Sequence, residues 1–271
     1  MRAKLSILAA GSLLFSLAGI AYYSRSIIRQ QVAQAALHEA SLPRRVLWVW
    51  ERPEDLHEID PGTTGVAVLQ ETLRLGSSVI PVARRQPVLI PEHVSQIAVV
   101  RIETDQTFVA HENDSALLQN VVANLDRISR QPGIAALQID FDAKKSERAF
   151  YRRLLERLRR QMPPALPLDI TALVSWCSTD DWITDLPINA ATPMFFRMEP
   201  DRRRLLLNAV PGYHIREPLC SGSIGLSTTE HWAQNAEGKR TFLFADHGWA
   251  KDLADLHYIN HADSETRSEY P

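Results

Sequence analysis

The chain has 271 residues, 45% of them hydrophobic and 23% charged, with a formal net charge of −2. This is ordinary globular composition, enough for one large domain or two small ones, and the charge gives no support for a nucleic-acid partner. Two cysteines, Cys177 and Cys220, make neither a disulfide framework nor a zinc site, and the sequence leaves open whether they pair.

Arg2 and Lys4 precede an uncharged run from Leu5 to Tyr23. A basic flank before an apolar run is the pattern of an export signal, and this run is long enough to span a bilayer, which takes about 20 residues. Tyr22-Tyr23-Ser24-Arg25 is a poor cleavage site, and Ala33-Gln34-Ala35 has suitable small residues but lies late. An uncleaved signal anchor is expected over residues 1–24, with a cleaved signal peptide as the alternative. Residues 25–42 read as a helix-compatible stalk, 43–261 as the domain and 262–271 as a polar tail. The domain is expected in the periplasm, anchored to the inner membrane through the N-terminal helix, or released or secreted if the signal is cleaved.

Apolar, strand-like runs then recur. Val46–Trp50 is the first and Thr63–Leu69 the second, ending at Gln70-Glu71. Two short pieces about Arg84-Arg85 suggest a hairpin set in a loop. Ile97–Glu103 is the third strand. Asn113-Asp114-Ser115 caps a helix to about Arg130, with Leu117, Leu118, Val121, Val122, Leu125 and Ile128 close to the 3.6-residue period. The fourth strand is Ile134–Asp142, followed by a helix from about Ser146 to Met162. Phe150, Leu154, Leu155 and Leu158 form its apolar stripe, and its arginines read as a solvated face. Leu166–Trp176 is the fifth strand, with Ser178 to Asp181 as a helix cap after it. Ile188–Met198 is the sixth, followed by a helical stretch from Asp201. Ser223–Ser227 and Thr241–Ala245 complete the series.

Eight strand-like runs, several followed by helices, predict an irregular (β/α)₈ barrel of the TIM type, preceded by the N-terminal apolar helix. The runs are apolar throughout, as parallel strands covered by helices must be. A doubly wound open sheet is the alternative, but no glycine-rich phosphate loop follows the first strand.

The fourth strand carries the chemistry. Alternate strand residues share a face, so Gln138, Asp140 and Asp142 point one way and Leu137, Ile139 and Phe141 the other. Two carboxylates at this spacing repel each other and resist burial, which a sequence tolerates where it uses them. In a barrel, the carboxyl-terminal strand ends form the active-site mouth. There this sequence places Trp50, Glu51, Glu103, Asp140, Asp142, Trp176, Arg197 and Asp246. Acids with tryptophans suit a sugar cleft: carboxyl groups for proton transfer, aromatic faces for stacking on pyranose rings. Glycosidic cleavage typically uses two carboxyl groups about 5 Å or about 6.5–9.5 Å apart. Asp142 is the expected proton donor and Asp140 its electrostatic partner. Gln138, Trp50, Glu51, Glu103, Trp176, Arg197 and Asp246 are expected around the substrate. No metal-ligand spacing and no cofactor motif is found.

The stretches L-W-V-W-E-R-P-E-D-L at 47–56, Q-I-D-F-D-A-K-K-S-E-R at 138–148, I-T-A-L-V-S-W-C at 170–177 and P-M-F-F-R-M at 193–198 resemble a bacterial family, domain of unknown function 3142. The resemblance implies a barrel grouped with glycoside hydrolases, with its activity unassigned. Gln138–Asp142 is also similar to the Asp-x-x-Asp-x-Asp-x-Glu strand of family 18 chitinases, which implies a donor at Asp142 and a supporting acid at Asp140. The departures are Asp142 for the donor Glu, and Gln138 and Ala135 for two Asp residues. The expected function is glycoside hydrolysis on a bacterial glycan or polysaccharide. A non-catalytic glycan-binding or assembly module is the alternative, and a metal-dependent hydrolase using the same acids a third reading.

Overall fold

A computed structural model describes residues 23, 25–109, 115–196, 215–229, 236 and 238–253. The apolar run 5–22, the cap residues Asn113 and Asp114, Arg197, the helical stretch from Asp201 and the tail 262–271 lie outside them.

The strands are β1 (Arg45–Val49), β2 (Glu54–Asp55), β3 (Thr64–Leu75), β4 (Val79–Ala83), β5 (Val88–Leu89), β6 (Gln96–Thr104), β7 (Ile134–Asp140), β8 (Leu168–Leu173), β9 (Ala190–Met194), β10 (Ser223–Ser227) and β11 (Arg240–Phe244). Nine of them form one sheet in the order β1-β11-β10-β9-β8-β7-β6-β3-β4, and β1 also pairs with β3. That last pairing is parallel, Arg45 to Thr64 through Val49 to Val68, and it closes the ring. β4 lies outside the ring, antiparallel to β3, so the barrel has eight strands, all parallel. Closure excludes the open-sheet alternative. Short strands β2 and β5 form a separate pair.

Between β6 and β7 runs α2 (Ser115–Ser129), between β7 and β8 α3 (Arg148–Gln161), and after β8 the short α4 (Val174–Ser178). The expected apolar stripes of α2 and α3 are buried against the outer faces of β6 to β8. Each such Leu contributes about 1.5–3 kcal/mol relative to exposure. Arg159 departs from the solvated-face reading. It is fully buried and donates to the carbonyls of Pro187 and Leu166 and to Asn189 Oδ1.

The polar loop after β1 carries no helix, and β3 is longer than expected. Its register shifts between Leu69 and Glu71. An extra residue in one strand reverses which residues face inward. Before the bulge Ala67 and Leu69 pack inside the barrel; after it Thr72 and Arg74 line the cavity, while Leu73 and Leu75 pack outward. The hairpin is therefore β3–β4, turning through Gly76, rather than two pieces about Arg84-Arg85. A Cβ at Gly76 would lie 2.3 Å from Asp105 Oδ2 and 2.7 Å from Thr107 Oγ1, so a larger residue there would have to displace those side chains. The fifth strand stops at Leu173, and Asp180 to Asp185 form a turn rather than a capped helix. In that turn Asp180 pairs with Arg148 at 2.6 Å. Cys177 and Cys220 are disulfide-bonded, tying α4 to the segment before β10.

Residues 25–41 form a helix, α1, that docks on the amino-terminal end of the barrel. Its Ala35 is buried, Glu39 pairs with Arg240 at the start of β11, and the Val32 carbonyl accepts from Asn189 at 3.0 Å. Glu39 also faces Asp169, a buried carboxyl on β8. Burial and then the Glu39 carboxylate push the Asp169 pKa well above its ordinary range, against Arg240 and Arg159. Asp169 Oδ1 and Glu39 Oε2 are both buried without a hydrogen-bond partner among the described residues.

Trp48 fills the middle of the barrel. It is 2% exposed, stands 5.1 Å from the Phe242 ring, and donates its indole N–H to Gln138 Oε1 at 2.7 Å. Gly225 on β10 makes room for it: a Cβ there would lie 2.8 Å from Trp48 Cη2. Gly225→Ala is predicted to destabilise the fold by about 1–3 kcal/mol through overpacking. Chemical denaturation followed by tryptophan fluorescence measures it, and an unchanged midpoint would remove this account of the barrel centre.

Candidate functional site

All eight barrel strands point their carboxyl ends at one rim, and a cleft of about 1170 Å³ opens there. Its floor is aromatic. The Phe196 and Phe244 rings stack at 5.2 Å, and Trp48 meets Phe196 edge-on at 5.9 Å. Trp50 lies 6.3 Å from Phe244 and half-exposed, with the Arg101 guanidinium 5.9 Å over its ring.

The polar centre is built across three neighbouring strands. Arg101 on β6 stands in register beside Asp140 on β7. Arg101 Nη1 donates to Asp140 Oδ2 at 2.8 Å, and Thr171 on β8 donates to Asp140 Oδ1 at 2.7 Å. Asp140 is 3% exposed, so both oxygens are spent on the protein. Arg101 Nε donates to Glu103 at 2.9 Å; burial lowers the Arg101 pKa, but the Asp140 and Glu103 carboxylates outweigh it and raise it.

β7 ends at Asp140, so Asp142 belongs to the loop that follows rather than to the strand. Alternation nonetheless persists. Phe141 and Ala143 are buried toward α3, which leaves Asp142 directed into the cleft. Glu147 pins this loop, accepting from the Lys144 backbone at 2.8 Å and from Thr104 on β6 at 2.9 Å. Beneath it the Tyr151 ring packs 5.0 Å from Phe141, with its hydroxyl buried and unpartnered among the described residues. Burial, then the Asp140 and Asp142 charges, push that phenol well above its ordinary pKa.

The Asp142 side chain is exposed, yet it lines the cleft, where neighbouring protein atoms take the place of part of its hydration shell. Contact with cleft water does not restore full hydration of a carboxylate. That desolvation, followed by the Asp140 carboxylate, pushes the Asp142 pKa up from 3.8 to about 6, with Arg101 opposing. A carboxyl group with this pKa is partly protonated near neutrality and suits proton donation.

The other expected site residues divide. Trp50, Glu51 and Glu103 line the cleft with Asp140 and Asp142. Glu51 Oε1 accepts from the backbone N–H groups of Arg85 and Gln86. Gln138 is fully buried below the floor, and its amide nitrogen has no partner among the described residues. Trp176 does not reach the cleft. Leu173 ends β8, the chain turns into α4, and the indole is 1% exposed on the barrel's outside, 4.8 Å from Trp182. Asp246 is not among the cleft-lining residues either; it accepts from Ser227 and Thr229 at the tops of β10 and β11. Arg197 lies outside the described residues. Sequence reasoning missed Arg101, although its place beside Glu103 near the end of an apolar strand was the signal. It also missed Thr171, and Arg74 and Arg85 on the β3–β4 side. Among the described residues no group of three or more His, Cys, Asp or Glu is arranged to hold a metal ion.

These features define a closed parallel α/β barrel with a carboxylate-bearing cleft at its carboxyl-terminal mouth. A family model described as Domain of unknown function (DUF3142) matches residues 93–187. The chain is similar to that family from just before β6 through α4, the span that holds Arg101, Asp140, Asp142 and Thr171. No curated protein matches the sequence significantly.

Removing Arg101 leaves Asp140 as a buried charge held by one hydroxyl. Arg101→Met is predicted to cost about 1–3 kcal/mol, and adding Asp140→Asn to recover part of that loss. Equilibrium unfolding in urea measures both, and additive losses would contradict the pairing.

Proposed function

We propose that this protein is a carbohydrate-active hydrolase that cleaves glycosidic bonds in a bacterial glycan, with Asp142 as general acid. The observation that carries the reading is Asp142 itself: a cleft carboxyl group with a pKa near 6, two residues beyond a buried carboxylate. Asp142 gives its proton to the leaving glycosidic oxygen as the bond to the anomeric carbon breaks. The Asp140 carboxylate supplies negative charge near the oxocarbenium centre, and water completes hydrolysis by adding to that carbon and releasing a proton. Trp50 and Phe196 supply faces on which sugar rings stack.

The export reading of the N-terminus belongs to the same proposal. The Cys177–Cys220 disulfide accords with an oxidising compartment. No helix among the described residues is long and apolar enough to cross a membrane, and the proposed anchor lies before them. An anchor leading into α1 would sit at the foot of the barrel, with the cleft opening away from the membrane.

A glycan-binding role without turnover is the second reading. It rests on the Asp142 carboxyl, which has no hydrogen bond among the described residues to hold it in a firing position.

The test is release of reducing ends from bacterial cell-wall glycans and exopolysaccharides by the full chain. A general acid must be protonated, so kcat/KM is predicted to fall as pH rises through about 6. Asp142→Asn is predicted to lower kcat by about 10²–10⁴-fold. Turnover that Asp142→Asn leaves intact would sink the assignment. Binding without turnover in the parent protein would favour the second reading.

A further inference from the structure

Among the described residues, the cleft-lining charges are four arginines, Arg52, Arg74, Arg85 and Arg101, and four acids, Glu51, Glu103, Asp140 and Asp142. Most of them are committed to the protein. Asp140 is held by Arg101 and Thr171, Glu103 by Arg101, and Glu51 by two backbone N–H groups. Arg52 donates to the Ala245 and Asp246 carbonyls and faces Glu54 at 3.6 Å. Arg74 reaches Glu103 only at 3.8 Å and its side chain is 65% exposed.

Arg85 is different. It lines the cleft, is exposed, and its side chain has no hydrogen bond or ion pair among the described residues. Yet the chain that carries it is fixed. Its neighbour Arg84 donates to the Trp50, Arg52 and Gln86 carbonyls, and Glu51 holds the N–H groups of Arg85 and Gln86. A cation with no partner among the described residues, mounted on a loop pinned by five hydrogen bonds, is preorganised for a ligand outside the chain. Arg74 stands on the same side of the cleft, on the strand that pairs with β4.

From this placement we infer that the cleft takes a glycan bearing carboxylate groups, as in a polyuronate, with Arg85 as the carboxylate-binding residue and Arg74 supporting it. The inference rests on the hydrolase reading and specifies its substrate. A guanidinium matches a carboxylate in two parallel hydrogen bonds, which a neutral hydroxymethyl group does not offer. The other acids are held by the chain, which lessens their repulsion of such a ligand: Asp140 and Glu103 share the Arg101 guanidinium, and Glu51, beside Arg85, accepts from two backbone N–H groups. Asp142, the exception, is neutral in part of its population near pH 6.

The test is calorimetric binding to the full chain with three probes: an oligogalacturonate, its methyl ester, and a neutral malto-oligosaccharide. The wild type is predicted to bind the oligogalacturonate about tenfold or more tightly than its ester, with the preference shrinking at high salt. Arg85→Gln is predicted to abolish the preference while leaving the melting temperature unchanged, since its side chain makes no hydrogen bond or ion pair among the described residues. Equal binding of acid and ester would overturn the carboxylate inference and leave the glycan reading standing. A preference that survives Arg85→Gln would overturn the role of Arg85. No binding of any of the three probes would count against both this inference and the hydrolase reading, and turnover of a neutral glycan in the assay above would then restore the hydrolase reading alone.

Discussion

A carboxylate taken out of water must be paired or it destabilises the fold, and this barrel places one at its mouth. Asp140 on β7 is held by Arg101 from β6 and Thr171 from β8. Those bonds knit three neighbouring strands at the rim where the cleft opens. The polar centre of the cleft is built around that knot. Arg101 also orders Glu103 and covers the Trp50 ring. Asp142, two residues further on, feels the Asp140 charge through a partly desolvated cleft, and its pKa rises as a result.

The barrel interior is graded from foot to mouth. At the foot α1 brings Glu39 against Asp169 and Arg240. In the middle Trp48 occupies the space that Gly225 vacates and ties up one end of Gln138. Above it the floor is aromatic and the walls are charged. Parallel strands make this separation possible, because every strand begins at the stability end and finishes at the cleft. The bulge in β3 adds to it. By reversing the alternation after Leu69 it turns Arg74 toward the cleft and Glu71 outward, where Glu71 meets Arg127 of α2 at 2.7 Å.

Much of this was legible in the sequence. Strongly apolar runs with helical patterns between them specified a parallel barrel, and two-residue periodicity put Gln138 and Asp140 on its inner face. What escaped were places where the backbone leaves regular geometry. Gln70 read as a strand end because a polar residue stood there, when it marks a bulge. Asp142 read as a strand residue because the alternation continues past the last ladder bond at Asp140. Trp176 read as a cleft residue because the apolar run does not show the turn into α4 at Leu173. Arg85 sits in a loop, where no periodicity states which way a side chain faces. The partner of Asp140 was hidden for another reason: Arg101 is distant in sequence, and only the β6–β7 register brings it alongside.

Its place in the fold makes Asp142 a partly protonated acid at neutral pH. The most direct measurement is a carbon-13 NMR titration of the aspartate carboxyl signals, with Asp142→Asn used to assign the resonance. The account predicts that the Asp142 signal titrates near pH 6. A midpoint near 4 would mean that the cleft leaves this carboxylate as well hydrated as a surface residue, and would contradict the account.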